Sequence, residues 1–164
     1  MGCYRTILVA VDGSADAAAA MRHAASLARD QHAKLIVLTV VPPAPPQVAS
    51  PSAVAPTAAE TDDAYARVLR RAVDQLPPDV GVETRIARGR PAKAIVEIAH
   101  ETGSDLIVMG AHGHGRLHHA LIGSVSDAVL RVSDLPVLLM RAGAKDPGAD
   151  TPLATSTDQI IGVP

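Results

Sequence analysis

The chain has 164 residues, a length typical of one domain with one hydrophobic core. Its 15 basic and 17 acidic residues give a formal net charge of −2 with no basic stripe, and it has two tyrosines but no phenylalanine or tryptophan. This composition lacks both the cations and the stacking platforms of a nucleic-acid-binding protein, and the apolar runs are too short to span a bilayer. We therefore expect no nucleic-acid partner and no membrane span.

The cysteine content and the first residues bear on the cellular compartment. Cys3 is the one cysteine of the chain, so an intramolecular disulfide cannot form. The first residues do not resemble a secretory leader. Together these features predict a cytoplasmic protein.

A strand, a helix and a second strand are predicted at the start of the chain. Residues 5–11 (RTILVAV) form a short apolar run that ends in the turn Asp12-Gly13-Ser14. The Ser14 side chain is placed to cap a helix predicted over residues 16–30. Residues 34–41 (KLIVLTVV) are again apolar nearly throughout, so we expect both strands to be buried in a parallel sheet that has helices on both faces.

A loop, a helix and a strand come next. Residues 42–60 are rich in proline, alanine and serine and have no periodic apolar face, which predicts a mobile loop. Apolar residues then recur at helical spacing from Tyr65 to Leu76, and Pro77 ends that helix. The strand predicted over residues 80–87 alternates apolar and polar side chains, which is typical of an edge strand.

Two further helix and strand pairs are predicted. The third helix opens at the Gly89–Pro91 turn and ends at Gly103, and the fourth strand covers residues 105–109. The last helix is predicted over residues 124–132 and the fifth strand over residues 135–140.

The alternation of strands and helices predicts the fold class. It favours a single α/β domain over residues 1–141, built on an open, doubly wound, parallel five-stranded sheet. Residues 142–164 have no periodic pattern, which predicts a disordered tail. Ligands bind such sheets beyond the carboxyl ends of the strands, at the point where the strand order reverses. If the order is 3-2-1-4-5, Asp12 and the segment that starts at Gly110 meet at that point.

The segment after the fourth strand, residues 109–129 (MGAHGHGRLHHALIGSVSDAV), contains a glycine pattern. The P-loop and dinucleotide fingerprints do not match it. Its Gly110, Gly113 and Gly123 permit close approach of backbone to an anion, and Ser124 starts a helix whose free N–H groups favour phosphate.

At these residues the sequence resembles the universal stress protein family, whose ATP-binding members carry G-x2-G-x9-G-[ST] at this place. The resemblance extends from about Tyr4 to Arg141. It implies the sheet order 3-2-1-4-5 and a homodimer formed through the fifth strand. It also implies an adenine nucleotide as ligand, namely ATP with Mg²⁺. The predicted nucleotide-binding residues are Ala10, Val11, Asp12, Val40, Met109, Gly110, His112, Gly113, Arg116, Gly123, Ser124, Val125 and Ser126.

The resemblance also implies a role for most of these residues. The backbone at Val40 would meet adenine, and Asp12 would lie near the ribose or a Mg²⁺. The glycines, Ser124 and Val125 would hold ribose and phosphates, and Ser126 would add a hydroxyl. From its permanent charge, Arg116 is predicted to contact phosphate.

Two residue types in this region have alternative interpretations. His112, His114, His118 and His119 suit Zn²⁺ or Ni²⁺, but they share one loop with no cysteine or evident carboxylate cluster beside them, so no metal site is predicted. When protonated, these histidines could instead help to hold phosphates. The alternative for Asp12 is a structural role as a turn residue whose carboxylate caps the first helix.

The sequence thus predicts an ATP-binding stress protein in which bound nucleotide biases a conformation or a surface for a protein partner that the sequence does not identify. A slow ATPase or phosphotransferase is an alternative, although we find no nucleophile with a base partner and predict no catalytic residue. A dimeric scaffold that does not bind ATP is a third hypothesis.

Overall fold

The computed structural model describes residues 4–43, 57–113 and 122–143. Five strands and four helices alternate along these residues. They are β1 (Thr6–Ala10), α1 (Ala15–Gln31), β2 (Lys34–Val41), α2 (Ala58–Val73), β3 (Val82–Arg88), α3 (Pro91–Glu101), β4 (Leu106–Gly110), α4 (Ser124–Val132) and β5 (Val137–Met140). The strands form one parallel sheet in the order β3-β2-β1-β4-β5, which confirms the predicted α/β fold.

The sheet has a hydrophobic core on each face. Helices α1 and α2 cover the face that carries Ile7 and Leu35, and helices α3 and α4 cover the face that carries Leu8 and Ile107. All four of these strand residues are fully or almost fully buried. The predicted burial of the central strands on both faces is therefore confirmed. No helix in the described ranges is long and apolar enough to cross a membrane.

The ends of α1 and α3 follow the predicted turn chemistry. The Ser14 hydroxyl oxygen accepts a hydrogen bond from the Ala17 N–H at 3.1 Å and so caps α1. Gly103, with φ +63°, follows the last residues of α3 as predicted. Strand β3 lies at the sheet edge as expected, and Ile86 on it remains half-exposed.

Helix α2 begins earlier than the apolar periodicity predicts. It starts at Ala58, inside the stretch predicted as loop, because Thr57 and Glu60 form a capping box. The Thr57 hydroxyl oxygen accepts from the Glu60 N–H at 3.2 Å, and the Glu60 carboxylate accepts from the Thr57 N–H at 2.8 Å. The helix ends at Val73, before Pro77. The rest of the predicted loop, residues 44–56, and the predicted tail from residue 144 lie outside the described residues.

Candidate functional site

A cleft of about 300 Å³ lies at the carboxyl ends of the central strands, between β1 and β4. This is the reversal point of the sheet, where ligands of open α/β folds bind. Of the residues predicted from the sequence, Ala10, Val11, Asp12, Val40, Met109, Gly110, His112, Gly113, Gly123, Ser124, Val125 and Ser126 line it. Arg116, His114, His118 and His119 lie outside the described residues.

A larger and more open groove of about 1210 Å³ lies at the opposite end of the sheet. It runs between the second half of α1 and the connection from α2 to β3, and an Arg29–Asp79 ion pair of 3.0 Å stands at its edge. Both side chains of that pair are more than half exposed. Because the strands begin rather than end there, the smaller cleft is the candidate site.

The three glycines of the motif are in tight contact with neighbouring backbone or side chains. A Cβ on Gly110 would lie 2.8 Å from the Ala17 nitrogen, and one on Gly113 would lie 2.8 Å from Oδ2 of Asp12. A Cβ on Gly123 would lie 3.1 Å from the Ala111 carbonyl oxygen. The absent side chains therefore let α1, the segment after β4 and the start of α4 approach one another around the cleft.

Asp12 shapes the turn that precedes α1. Its Oδ1 accepts a hydrogen bond from the Ser14 N–H at 2.9 Å, and Gly13 between them has φ +87°. The capping role considered for Asp12 is therefore taken by Ser14, whose hydroxyl binds the first turn of α1. The other oxygen of Asp12 is directed toward Gly113, so its carboxylate lies at the polar wall of the cleft.

The N-terminus of α4 presents backbone donors to the cleft. Gly123 is the N-cap, and no side chain of the described residues caps this helix. The bond from the Asp127 N–H to the Gly123 carbonyl is 2.9 Å long and opens the helical ladder. The N–H groups of residues 124–126 thus precede the ladder, as expected for a helix start that can bind an anion.

Ser126 fixes the distance between α4 and β4. Its buried hydroxyl donates to the Gly110 carbonyl at 2.8 Å. The Gly123 N–H donates to the Ala111 carbonyl at 2.7 Å beside it. These two bonds hold the start of α4 against the end of β4.

The other wall of the cleft is apolar. Ser14 and Ala17, at the start of α1, also line the cleft and were not selected from the sequence. The other lining residues that were not selected are Leu38, Pro42, Tyr65, Pro91 and Ile95. They come from β2, the turn after it, α2 and α3. Their contribution follows from packing between distant segments, which the local patterns used for the prediction do not encode. A cleft with one apolar and one polar wall suits a ligand with an aromatic base at one end and anionic groups at the other.

The backbone at Val40 lies on the apolar side, beyond the end of β1. The pairing of β1 with β2 ends at Ala10 and Leu38, and the Val11 N–H donates to the Leu38 carbonyl at 2.8 Å. On the other side of β2, the Val41 carbonyl accepts from the neighbouring segment after β3. Because successive backbone groups of a strand face opposite neighbours, the Val40 groups face the side where β1 has already ended.

Asp16, in the first turn of α1, is a site feature that the sequence analysis missed. Its Oδ2 accepts from the His112 N–H at 3.1 Å and lies 3.0 Å from His112 Nδ1, and its Oδ1 accepts from the Ala142 N–H at 2.7 Å. Burial raises the pKa of the Asp16 carboxyl, but the bonds from Ala142 and His112 outweigh burial and leave it below its ordinary value. The sequence feature that could have identified Asp16 is an acidic residue in the first turn of a predicted helix.

Metal-binding side chains do not cluster in the described part of the chain: no three histidine, cysteine or acidic side chains there could hold one ion together. Among the described residues, Asp12 is the carboxylate that lines the cleft.

Comparison with known proteins places the chain in a family. The model of the universal stress protein family matches residues 3–141. The chain belongs to the universal stress protein family. The parallel five-stranded sheet of the structure agrees with this membership.

Individual universal stress proteins match over most of the chain. One from Methanocaldococcus jannaschii is 29% identical over 147 residues, which cover 87% of this chain and 85% of that protein. The structure of UspA from Lactobacillus plantarum gives a TM-score of 0.67 at 30% identity, with 84% of this chain and 98% of that chain covered. A universal stress protein solved in complex with cAMP gives a TM-score of 0.64 at 29% identity, with 85% and 98% covered.

Proposed function

We propose that the cleft binds an adenine nucleotide, ATP with Mg²⁺, and that the bound nucleotide regulates a conformation or a protein-binding surface in a stress response. The observation that carries the proposal is the pairing of backbone donors that precede the helical ladder of α4 with an apolar wall at Val40. Phosphates fit the first feature and adenine fits the second. The complex of a 29% identical family member with cAMP supports the choice of an adenine nucleotide.

The residues present fit this ligand and its metal ion. Mg²⁺ is commonly held by one or two carboxylates together with substrate phosphates and water, and Asp12 supplies one carboxylate at the polar wall. The Ser124 hydroxyl lies at the same helix start. Bound Mg²⁺ would neutralise phosphate charge, while Asp12 and Ser124 would hold it at this wall.

Calorimetric titration of nucleotide-free protein with MgATP tests the proposal. Ser124→Asp adds a negative charge at the first position of α4, where an acidic side chain favours the helix but repels phosphate. Ala58→Asp adds the same charge at the first position of α2, outside the residues that line the cleft. We expect micromolar or tighter binding, about −8 kcal/mol or stronger, in the wild type and in Ala58→Asp, and none in Ser124→Asp.

The outcomes separate the candidate functions. Binding that is lost in Ser124→Asp supports the nucleotide site, and release of ADP during incubation would move the assignment to the slow ATPase alternative. No heat from the wild type would contradict the proposal and favour a scaffold that does not bind ATP.

We also propose that the protein forms a cytoplasmic homodimer through β5. This strand lies at the edge of the sheet, and Val137, Leu138 and Leu139 on it are only partly buried. Leu139→Lys should shift the sedimentation coefficient toward that of a monomer, because an edge lysine disfavours strand pairing. Ile86→Lys on the opposite edge serves as the control, and equal sedimentation of both variants and the wild type would contradict this mode of assembly.

A further inference from the structure

We infer that Asp16 is a positioning residue for the nucleotide site, holding the segments that follow β4 and β5 against the first turn of α1. The inference rests on the proposed function and adds a residue that lies outside the cleft lining. Its side chain is 14% exposed; its contacts with His112 are partly buried, and its contact with Ala142 is exposed.

The contacts of Asp16 reach two separate parts of the chain. One carboxylate oxygen accepts a hydrogen bond from the backbone N–H of His112 and lies beside the ring of the same residue, 96 residues away in the chain. The other oxygen accepts from the Ala142 N–H, 126 residues away. His112 lines the cleft between Gly110 and Gly113. Asp16 therefore fixes the glycine segment from outside the site.

A second contact holds the same residue, His112, from the α1 side. The Ser14 hydroxyl donates to the His112 carbonyl at 3.3 Å, while the Asp16 carboxylate accepts from the His112 N–H. The neighbouring Ala111 carbonyl accepts from the Gly123 N–H at 2.7 Å. The segment is thus bound to α1 on one side and to the start of α4 on the other, which sets the distance between Asp12 and the α4 donors.

The pair of contacts that Asp16 makes with His112 and Ala142 also requires a carboxylate. Two backbone N–H groups approach the two oxygens of Asp16, and both oxygens of an ionised carboxylate can accept them. An asparagine has one acceptor oxygen and one NH₂ group, so its NH₂ would face the donor of either His112 or Ala142. An amide at position 16 must therefore release one of the two segments.

The connection extends to the edge strand. Ala142 follows β5, and the Ala111 N–H donates to the carbonyl of Met140 at 2.7 Å. Asp16 and this bond together join the ends of β4 and β5 to α1. One carboxylate therefore contacts both the segment that lines the cleft and the segment that follows the edge strand.

The test compares Asp16→Asn with Asp30→Asn, a matched change at an exposed position near the end of the same helix. MgATP affinity is measured by calorimetry, and hydrogen exchange of the His112 and Ala142 amides is measured without ligand. We expect Asp16→Asn to weaken ATP binding about tenfold or more, the factor for one lost hydrogen bond to a charged group. We also expect faster exchange at one of the two amides, no change in Asp30→Asn, and partial recovery of affinity in Asp16→Glu.

The failure of this inference is distinguishable from failure of the proposed function. If the wild type binds MgATP and Asp16→Asn binds it equally well, the positioning role is wrong and the nucleotide site stands. If the wild type binds no nucleotide, the proposed function fails and the positioning role falls with it. Unchanged exchange at Val9, a fully buried residue of β1, shows that the variants remain folded.

Discussion

A Cβ atom on Gly110 would lie 2.8 Å from the backbone nitrogen of Ala17, closer than real Cβ atoms approach a non-bonded atom. The backbone carbon of Asp16 would be 2.9 Å away. These are backbone atoms of the first helical turn, so they cannot rotate aside as a flexible side chain would. The glycine at the end of β4 is therefore required by packing within the protein, in addition to any ligand.

Gly110→Ala should lower the free energy of unfolding by about 1–3 kcal/mol, the usual cost of overpacking. Urea unfolding measures this change. Gly81→Ala is the control, since a Cβ there meets nothing within 4 Å in the described residues and the backbone does not have a positive φ. Equal midpoints for Gly110→Ala and the wild type would contradict the close contact with α1.

Two of the buried hydroxyls, those of Thr39 and Ser126, give a contrasting pair. Thr39 Oγ1 has no hydrogen-bond partner within the described ranges, whereas the Ser126 hydroxyl donates to the Gly110 carbonyl. Thr39→Val should leave the free energy of unfolding unchanged or raise it by up to about 1 kcal/mol, because it removes an unpaired polar group. Ser126→Ala should lower it by about 1 kcal/mol or more. Chemical unfolding of both variants measures the difference, and a loss of stability in Thr39→Val as large as in Ser126→Ala would contradict it.

The lowered pKa of Asp16 predicts a pH dependence of stability. Because the folded-state pKa lies below the unfolded value, the ionised carboxylate stabilises the fold. This contribution is fully present above the unfolded pKa and is lost as the pH falls through the folded one. Wild type should therefore be more stable than Asp16→Asn at pH 7, and the difference should shrink below pH 4 or so. Urea unfolding between neutral pH and pH 3 or so measures it, and a constant difference over that range would show that the carboxylate does not carry the effect.

Removal of Mg²⁺ tests the role proposed for Asp12. Asp12→Asn retains an oxygen that can accept from the Ser14 N–H, so the turn before α1 should persist. ATP affinity of the wild type should fall when EDTA removes Mg²⁺, and the fall should be much smaller in Asp12→Asn, because the variant lacks the anionic ligand. Fluorescence competition with a labelled nucleotide measures both affinities. An identical EDTA effect in both proteins would place the metal ion elsewhere.

The sequence predicts the fold from short patterns, and the resemblance to the universal stress protein family implies most of the predicted cleft lining. The glycine spacing and the helix start after Gly123 are local, and α4 begins and ends where its apolar period predicts. Helix α2 was predicted to begin too late, since its first turn is exposed and is specified by the Thr57–Glu60 capping box instead of by apolar residues. The contact of Asp16 with His112 and the placement of Tyr65 beside the cleft depend on segments far apart in the chain, which a local pattern cannot encode.

The most direct test of the nucleotide site is to map backbone amide chemical shifts while MgATP is added to ¹⁵N-labelled protein. A nucleotide bound in the cleft should cause the largest changes at Val40, Ser124 and Val125, at the two ends of the cleft, and leave the amides of His32 and Gly81 beside the opposite groove unchanged. No change at saturating MgATP, or changes confined to the opposite groove, would contradict it.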